Sequence, residues 1–160
     1  METIIIVAIL ALIIAIAFAW IEKKLKKNKT VTYESKATMT PAERKLYYTM
    51  QEALKDEKAI VLAQVNMSSF LKHRGKGARN YISQKSVDFL ICNREASPLV
   101  AIELQDKTHD EEDRKKSDKV KAEALKIAHV PLVLFSAKSM PTVAIIKKTL
   151  EPYMTNTRSK

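Results

Sequence analysis

The longest run of apolar residues covers residues 4–21, eighteen positions without a polar interruption. At about 1.5 Å of rise per residue, such a helix is roughly 27 Å long, close to the hydrocarbon thickness of a bilayer. Two alternatives are a cleaved signal peptide, for which residues 17–19 offer a small-x-small site, and a buried core helix. A signal peptide needs a basic segment before its apolar stretch, whereas the only charged groups before this one are Glu2 and the terminal amine. The pattern therefore favours an uncleaved transmembrane helix.

A cluster of five lysines follows this apolar run: Lys23, Lys24, Lys26, Lys27 and Lys29. The positive-inside rule places such a flank in the cytoplasm. We therefore expect a single-pass membrane protein with a basic juxtamembrane linker over residues 22–38. The cluster is most simply a topology signal, and contact with anionic lipid is a second role that suits it.

Beyond the linker, the hydrophobic pattern predicts alternating helices and strands. Thr40, Pro41 and Glu43 match a capping box, which predicts a helix from there to about residue 55. Short apolar runs predict four strands, at residues 59–65, 86–93, 99–105 and 131–136. Helical periods predict two further helices, at residues 110–128 and from 141 to about 154. The order α-β-β-β-α-β-α indicates one α/β domain over residues 39–154, with a tail at 155–160.

Composition excludes several classes of protein. With 46% hydrophobic residues and only two glycines, the chain is not disordered, collagen-like or of low complexity. Its one cysteine, Cys92, excludes a disulfide scaffold, and no Cys/His cluster has zinc spacing. The net charge of +10 favours a polyanionic partner. A basic domain beside a membrane is also consistent with solubility alone, or with contact to anionic lipid.

Two acidic residues, Asp88 and Glu103, lie among apolar neighbours in the predicted hairpin. A tight turn between Glu95 and Ala96 sets them opposite each other, with Cβ atoms about 5 Å apart. Gln105, two residues beyond Glu103, projects to the same face. Two carboxylates so close repel each other, and they need a cation, a shared proton or an arginine. Magnesium fits this pair; the alternative is that each carboxylate pairs with a Lys or Arg and only orients the sheet.

The predicted helix at 110–128 carries a stripe that changes from charged to apolar. Arg114, Asp118 and Lys121 continue into Leu125 and Ala128 at spacings of four and three residues. Because the apolar end faces the core, we expect the charged end to face the carboxylate pair.

A basic segment with both glycines of the chain precedes the second strand. Its candidate nucleic-acid contacts are Lys72, Arg74, Lys76 and Arg79. Arg and Lys contact phosphates without reading sequence, and glycine permits a mobile backbone. The segment is interpreted as a DNA-backbone loop, with a merely solvated basic loop as the alternative.

Three segments in order carry a resemblance to a known family: residues 40–44, residues 79–92, and residues 101–106 together with His109. They resemble the bacterial domain of unknown function 2726, a family assigned to the PD-(D/E)XK restriction-endonuclease-like superfamily. The resemblance covers residues 38–135. It implies a restriction-endonuclease-like α/β fold, with a mixed four-stranded sheet flanked by helices.

The resemblance also implies site residues. Asp88, Glu103 and the Gln105 carbonyl would hold Mg²⁺ or Mn²⁺, and Glu43 would complete or extend that site. Gln105 stands where the superfamily has a lysine, and Lys121 is placed to supply the missing charge. His109 accompanies this strand in the family and would contact a phosphate or the bound water.

Three functions are consistent with these residues. The first is a membrane-anchored, metal-dependent nuclease that acts on DNA at the cytoplasmic face of a bacterial membrane. The second is a catalytically inactive module of the same fold that binds nucleic acid or a partner there. The third is a structural role in which Asp88 and Glu103 are salt-bridge partners, and it requires both of them to pair with Arg or Lys.

Overall fold

The computed structural model of the chain describes residues 1–27, 32–72, 81–105 and 112–154. The chain divides into two compact units, Met1–Lys36 and Ala37–Lys160. The described part of the first unit contains helix α1 (Glu2–Lys27). The helix continues six residues beyond the predicted span, into the segment predicted as a linker. Its segment Glu2–Glu22 has a mean hydropathy of 3.3, and none of it is buried. This helix is long and apolar enough to cross a membrane, a property that an N-terminal signal sequence shares.

The second unit is an α/β domain, in the predicted order of elements. Its helices and strands are α2 (Pro41–Ala53), β1 (Ala59–Asn66), α3 (Met67–Phe70), β2 (Ser86–Asn93), β3 (Pro98–Gln105), α4 (Glu112–Ile127), β4 (Leu132–Ser136) and α5 (Val143–Met154). Each predicted element is present, with ends displaced by one or two residues. The short helix α3 was not predicted; Asn66 caps it, because its side-chain oxygen accepts a hydrogen bond from the Ser68 N–H.

The four strands form one sheet in the order β1-β2-β3-β4. β1 pairs with β2 and β2 with β3 in antiparallel fashion, whereas β3 and β4 are parallel. The predicted mixed four-stranded sheet is therefore confirmed. The parallel pair requires a crossover, which α4 provides between β3 and β4.

Helix α2 begins as its sequence predicts. The Thr40 hydroxyl accepts a hydrogen bond from the Glu43 N–H, and Glu43 Oε2 accepts one from the Thr40 N–H. Pro41 at the first helical position has no N–H to satisfy. The helix ends at Ala53, two residues before the predicted end, where the Leu54 N–H bonds back to Met50.

The sheet has a hydrophobic cluster on each face. The first cluster joins Leu46 and Met50 of α2 with Phe89 of β2 and with Ile146 and Leu150 of α5. The second joins residues of β2 and β3 with α4 and α3, and its buried members include Leu90, Cys92, Ala101, Leu125 and Met67. Helices thus cover both faces, and they hold the two central strands away from water.

The β2–β3 hairpin has the predicted register near the acidic residues. Phe89 pairs with Ile102 and Leu90 with Ala101, so the next position sets Asp88 opposite Glu103. At the other end a bulge at Cys92 shifts the register by one residue before the turn. Ala96 closes that turn with a φ of 58°.

Candidate active site at the end of the sheet

One edge of the sheet, across the strand termini, is where β1, β3 and β4 end and β2 begins. Because of the strand directions, the ends of β1, β3 and β4 lie beside the beginning of β2. Asp88 is the third residue of β2, and Glu103 is the third from the end of β3. The two central strands therefore bring both carboxylates to this edge, half-buried, with the outer strands on either side.

Asp88 takes part in the sheet through its side chain. Its Oδ2 accepts a hydrogen bond of 2.8 Å from the Leu104 N–H of β3. Burial raises the pKa of Asp88, the Leu104 N–H opposes that rise, and the negative charge of Glu43 adds to it. The carboxylate is thus held by one backbone donor in a place where its charge is poorly solvated.

Glu103 pairs with the ammonium group of Lys121, which reaches the sheet from α4. Lys121 Nζ lies 2.6 Å from Glu103 Oε1, 3.5 Å from the Ser86 carbonyl oxygen and 3.7 Å from Asp118 Oδ1. Burial nevertheless raises the pKa of Glu103; the hydrogen bond from Lys121 opposes this rise, and the charge of Asp88 reinforces it. The prediction that the charged stripe faces the carboxylates is confirmed for Lys121, and Leu125 on the same stripe is buried in the core. The prediction is wrong for Ala128, which is exposed at the end of the helix.

The structural alternative required a Lys or Arg partner for both carboxylates. Glu103 has one in Lys121. Asp88 forms no salt bridge with any Lys or Arg in the described ranges. Among the described cations, Lys121 is the one whose positive charge lowers the pKa of Asp88, and no hydrogen bond joins the two side chains. Two carboxylates therefore share one ammonium group, and part of their charge is not balanced by described residues.

Glu43 of α2 lies near Asp88 with both of its oxygens engaged. Oε2 accepts from the Thr40 N–H at 2.6 Å, and Oε1 accepts from the Gln64 side-chain amide at 3.2 Å. Its role as a further metal ligand stays a prediction. Sequence reasoning missed Gln64, because a lone glutamine in a strand pattern carries no distinguishing signal.

Gln105 ends β3 with an exposed side chain. Its carbonyl oxygen accepts a hydrogen bond of 2.9 Å from the Ala137 N–H after β4. A carbonyl oxygen has two lone pairs, so this bond leaves one for a second partner. The assignment of that carbonyl as a metal ligand stays a prediction.

The donor set fits a small, hard cation. The described residues contain no group of three or more His, Cys, Asp or Glu side chains arranged to hold a metal ion. Magnesium needs fewer, because it keeps several waters and binds through one or two carboxylates together with substrate phosphates. Asp88 and Glu103 meet that requirement, and a bound divalent cation would relieve their mutual repulsion.

Several predicted site residues lie outside what the structure describes. These are His109, the side chain of Arg114, and the loop residues Arg74, Lys76 and Arg79. Lys72 is described and exposed, and it leads into that loop. Asp118 is 65% exposed and lies 3.7 Å from Lys121, and its negative charge contributes to the raised pKa of both Asp88 and Glu103.

Comparisons with known proteins found one relative and one family for this chain. An uncharacterized protein of Haemophilus influenzae is 32% identical over 105 residues, which make up 64% of this chain and 55% of that protein. The chain thus spans about half the length of this relative. No solved structure matches the chain. The model of the family described as "Protein of unknown function (DUF2726)" matches residues 35–153. Since this match covers more than half of the 160 residues, the chain belongs to the DUF2726 family.

Proposed function

We propose that the domain is a divalent-metal-dependent nuclease of the PD-(D/E)XK type, held by α1 at the cytoplasmic face of a bacterial membrane. The observation that carries this proposal is the juxtaposition of Asp88 and Glu103 on the two central strands. The ammonium group of Lys121 reaches from α4 and bonds to Glu103. Half-buried carboxylates with raised pKa values and incomplete charge compensation, such as Asp88 and Glu103, are typical of sites that take a cation. A mixed four-stranded sheet flanked by helices is also what the resemblance to that superfamily implies, and it supports the proposal.

Asp88, Glu103 and the Gln105 carbonyl would hold Mg²⁺ or Mn²⁺ in this proposal. When bound, such an ion lowers the pKa of a coordinated water and stabilises negative charge on a phosphate. The protein contributes the rigid frame: Asp88 is fixed by the Leu104 N–H, and Glu103 is fixed by Lys121. Packing on both sheet faces keeps these strands from shifting.

Lys121 has the role of the positive group that Gln105 does not provide. Its ammonium lies beside Glu103, so it is placed to orient a water or to stabilise a phosphate oxygen there. A glutamine at position 105 can orient a water but adds no charge. A cation supplied from α4 therefore makes this site consistent with catalysis.

The direct test is an assay of the purified full chain in detergent micelles with end-labelled single-stranded and double-stranded DNA. We expect cleavage with Mg²⁺ or Mn²⁺ and none with EDTA. Asp88→Asn and Glu103→Gln should abolish it, whereas the exposed acids Glu52 and Asp56, changed to Gln and Asn, serve as matched controls. Cleavage that persists in the site variants would identify a contaminating nuclease and leave the proposal without support.

The second candidate function is a catalytically inactive module of the same fold that binds nucleic acid or a partner. The observation that favours it is Gln105 in the lysine position. This function predicts DNA binding without cleavage in the same assay. The wild-type chain separates the two, because a nuclease cleaves the labelled DNA with Mg²⁺ or Mn²⁺, whereas the binding module shifts it without cleavage.

A further inference from the structure

Gln64 has an unusual backbone conformation in the middle of strand β1. Its φ is 52°, in the left-handed region that residues with a Cβ atom rarely adopt. The neighbouring pairs Ala63–Phe89 and Val65–Val87 belong to the ladder with β2. The position between them, where Gln64 is opposite Asp88, is missing from that ladder. The irregularity therefore lies at the candidate ligand Asp88.

At the same position, the side chains of β1 and β2 change from one face of the sheet to the other. In a regular strand, residues two positions apart lie on one face. Here Ala63 and Phe89 pack in the cluster with α2 and α5, while Val65 and Val87 pack in the cluster with α4. Both strands thus turn about their axes between these pairs. A turn of this kind frees Asp88 from regular pairing with β1, and its carboxylate bonds to the Leu104 N–H on the other side.

The side chain of Gln64 also connects the strand to α2. Its Nε2 donates to Glu43 Oε1 over 3.2 Å, across 21 positions of sequence. The other oxygen of Glu43 is fixed by the helix cap at Thr40. Glu43 is thereby held at both oxygens, near enough for its charge to act on Asp88.

We infer that Gln64 is a positioning residue of the proposed metal site: its left-handed backbone releases Asp88 from the β1–β2 ladder, and its amide orients Glu43 towards Asp88. This inference rests on the proposed function for its metal. It places no substrate contact on Gln64, which acts through its two neighbours. Such outer partners of ligands commonly change metal affinity by about 10–100-fold when they are removed.

The contact itself is tested without metal. The chain has four glutamines, so ¹⁵N-glutamine labelling of the full chain in micelles gives four side-chain NH₂ groups in NMR, and Gln64→Gly assigns the pair of peaks from Gln64. Glu43→Gln should shift that pair, whereas Glu52→Gln on the same helix should not; each of these variants adds one further NH₂ group of its own. An unchanged Gln64 signal in Glu43→Gln would overturn the inference.

The positioning role is tested by Mn²⁺ titration of a double-mutant cycle. Gln64→Gly keeps the left-handed backbone and removes the amide, so the fold should persist while the dissociation constant for Mn²⁺ rises about tenfold. In a Glu43→Gln background the same change should have no further effect, because the amide acts through Glu43. Ala96 also has a positive φ and lies in the distant hairpin turn, so Ala96→Gly is the matched control and should leave the constant unchanged.

Gln64→Val tests the backbone part, since a β-branched residue resists a positive φ. We expect a melting temperature several degrees lower than that of Gln64→Gly. If Gln64→Gly weakens Mn²⁺ binding equally in the wild-type and Glu43→Gln backgrounds, the inference is overturned while the metal site stands. A wild-type chain that binds no Mn²⁺, with the Gln64 signal still sensitive to Glu43, would overturn the proposed metal site instead.

Discussion

Lys121 and Glu103 form a salt bridge of 2.6 Å in which the side chains are only 15% and 17% exposed. A second pair, Lys55 and Glu52, has nearly the same separation, 2.7 Å, but is 56% and 57% exposed. The two pairs therefore differ in environment rather than in geometry. Solvent screening reduces the contribution of the exposed pair to stability, whereas the shielded pair has lost most of its hydration.

This contrast gives a prediction for stability. Lys121→Met should lower the free energy of unfolding at pH 7 by about 2 kcal/mol, because Glu103 is left buried without its hydrogen-bonded cation. Lys55→Met should leave stability nearly unchanged. Thermal unfolding of the full chain in micelles, followed by circular dichroism with EDTA present, measures both. Equal effects of the two substitutions would show that burial does not set the strength of the Lys121 pair.

The pKa of Asp88 predicts how stability depends on pH. Burial is the first cause that raises it, so the folded chain binds this proton more tightly than the unfolded chain does. Ionisation of Asp88 therefore lowers the free energy of unfolding as pH rises from the ordinary carboxyl value of about 3.9 to the raised one. Asp88→Asn keeps an oxygen for the Leu104 N–H, and without metal it should be at least as stable as wild type at pH 7.

The same variant should lose this advantage in acid. As pH falls through the raised pKa of Asp88, the wild-type carboxyl becomes neutral and the two melting temperatures should converge. Melting curves in EDTA between about pH 4 and 8 follow this difference, with Asp56→Asn as an exposed control. A variant several degrees less stable than wild type at pH 7 would mean that the Asp88 charge stabilises the metal-free fold.

Divalent cations should raise the melting temperature of the wild-type chain. An ion that binds only the folded state stabilises it by about 2.7 kcal/mol at a concentration 100 times its dissociation constant. Asp88→Asn and Glu103→Gln should both abolish this gain. Their melting temperatures should differ without metal, since only Glu103→Gln removes the ion pair with Lys121. Glu52→Gln should retain it. A wild-type melting temperature indifferent to Mg²⁺ and Mn²⁺ would argue against the metal site.

The predicted turn between Glu95 and Ala96 is wrong by half a residue, because the pairs next to it are centred on Glu95. The bulge at Cys92 then shifts the pairing by one residue, so Asp88 still lies opposite Glu103 as predicted. The reach of Lys121 followed from helical spacing alone, since Leu125 on the same stripe had to face the core. Local pattern and tertiary packing agree at these positions.

The contribution of Gln64 could not be predicted in the same way. Its left-handed φ is imposed by packing that changes sides between neighbouring pairs, and no residue-type preference signals this for a glutamine. His129 shows the same limit at the end of α4, where it takes a φ of 55° in the position that glycine commonly occupies. Conformations that tertiary contacts impose against local preference are visible only in the folded chain.

Membrane topology is tested with a reporter fused after Lys160. A cytoplasmic signal, with the protein retained in the membrane fraction after alkaline washing, is expected if α1 is an uncleaved anchor with its lysines inside. Edman sequencing or mass spectrometry of the N-terminus completes the experiment. Release by alkali together with loss of the residues before Trp20 would identify a cleaved signal sequence.

The basic loop gives a prediction about nucleic-acid binding. Arg74→Ala combined with Lys76→Ala should weaken DNA binding similarly for all sequences, because phosphate contacts carry no base information. Each lost contact should also reduce the slope of log affinity against log salt by about one. Fluorescence anisotropy of labelled DNA with the full chain in micelles, in EDTA so that no cleavage occurs, measures this slope.

The control for this experiment removes the same charge at the end of the sheet that lies away from Asp88 and Glu103. Lys58 precedes β1 and Arg94 lies in the β2–β3 turn, where the start of β1 meets the end of β2. Lys58→Ala combined with Arg94→Ala lowers the net charge equally but removes no residue near the carboxylates. If the loop contacts the backbone, only the loop pair should flatten the salt slope. If both pairs flatten it equally, the DNA responds to the net charge of the domain, and the loop is a solvated segment with no contact of its own.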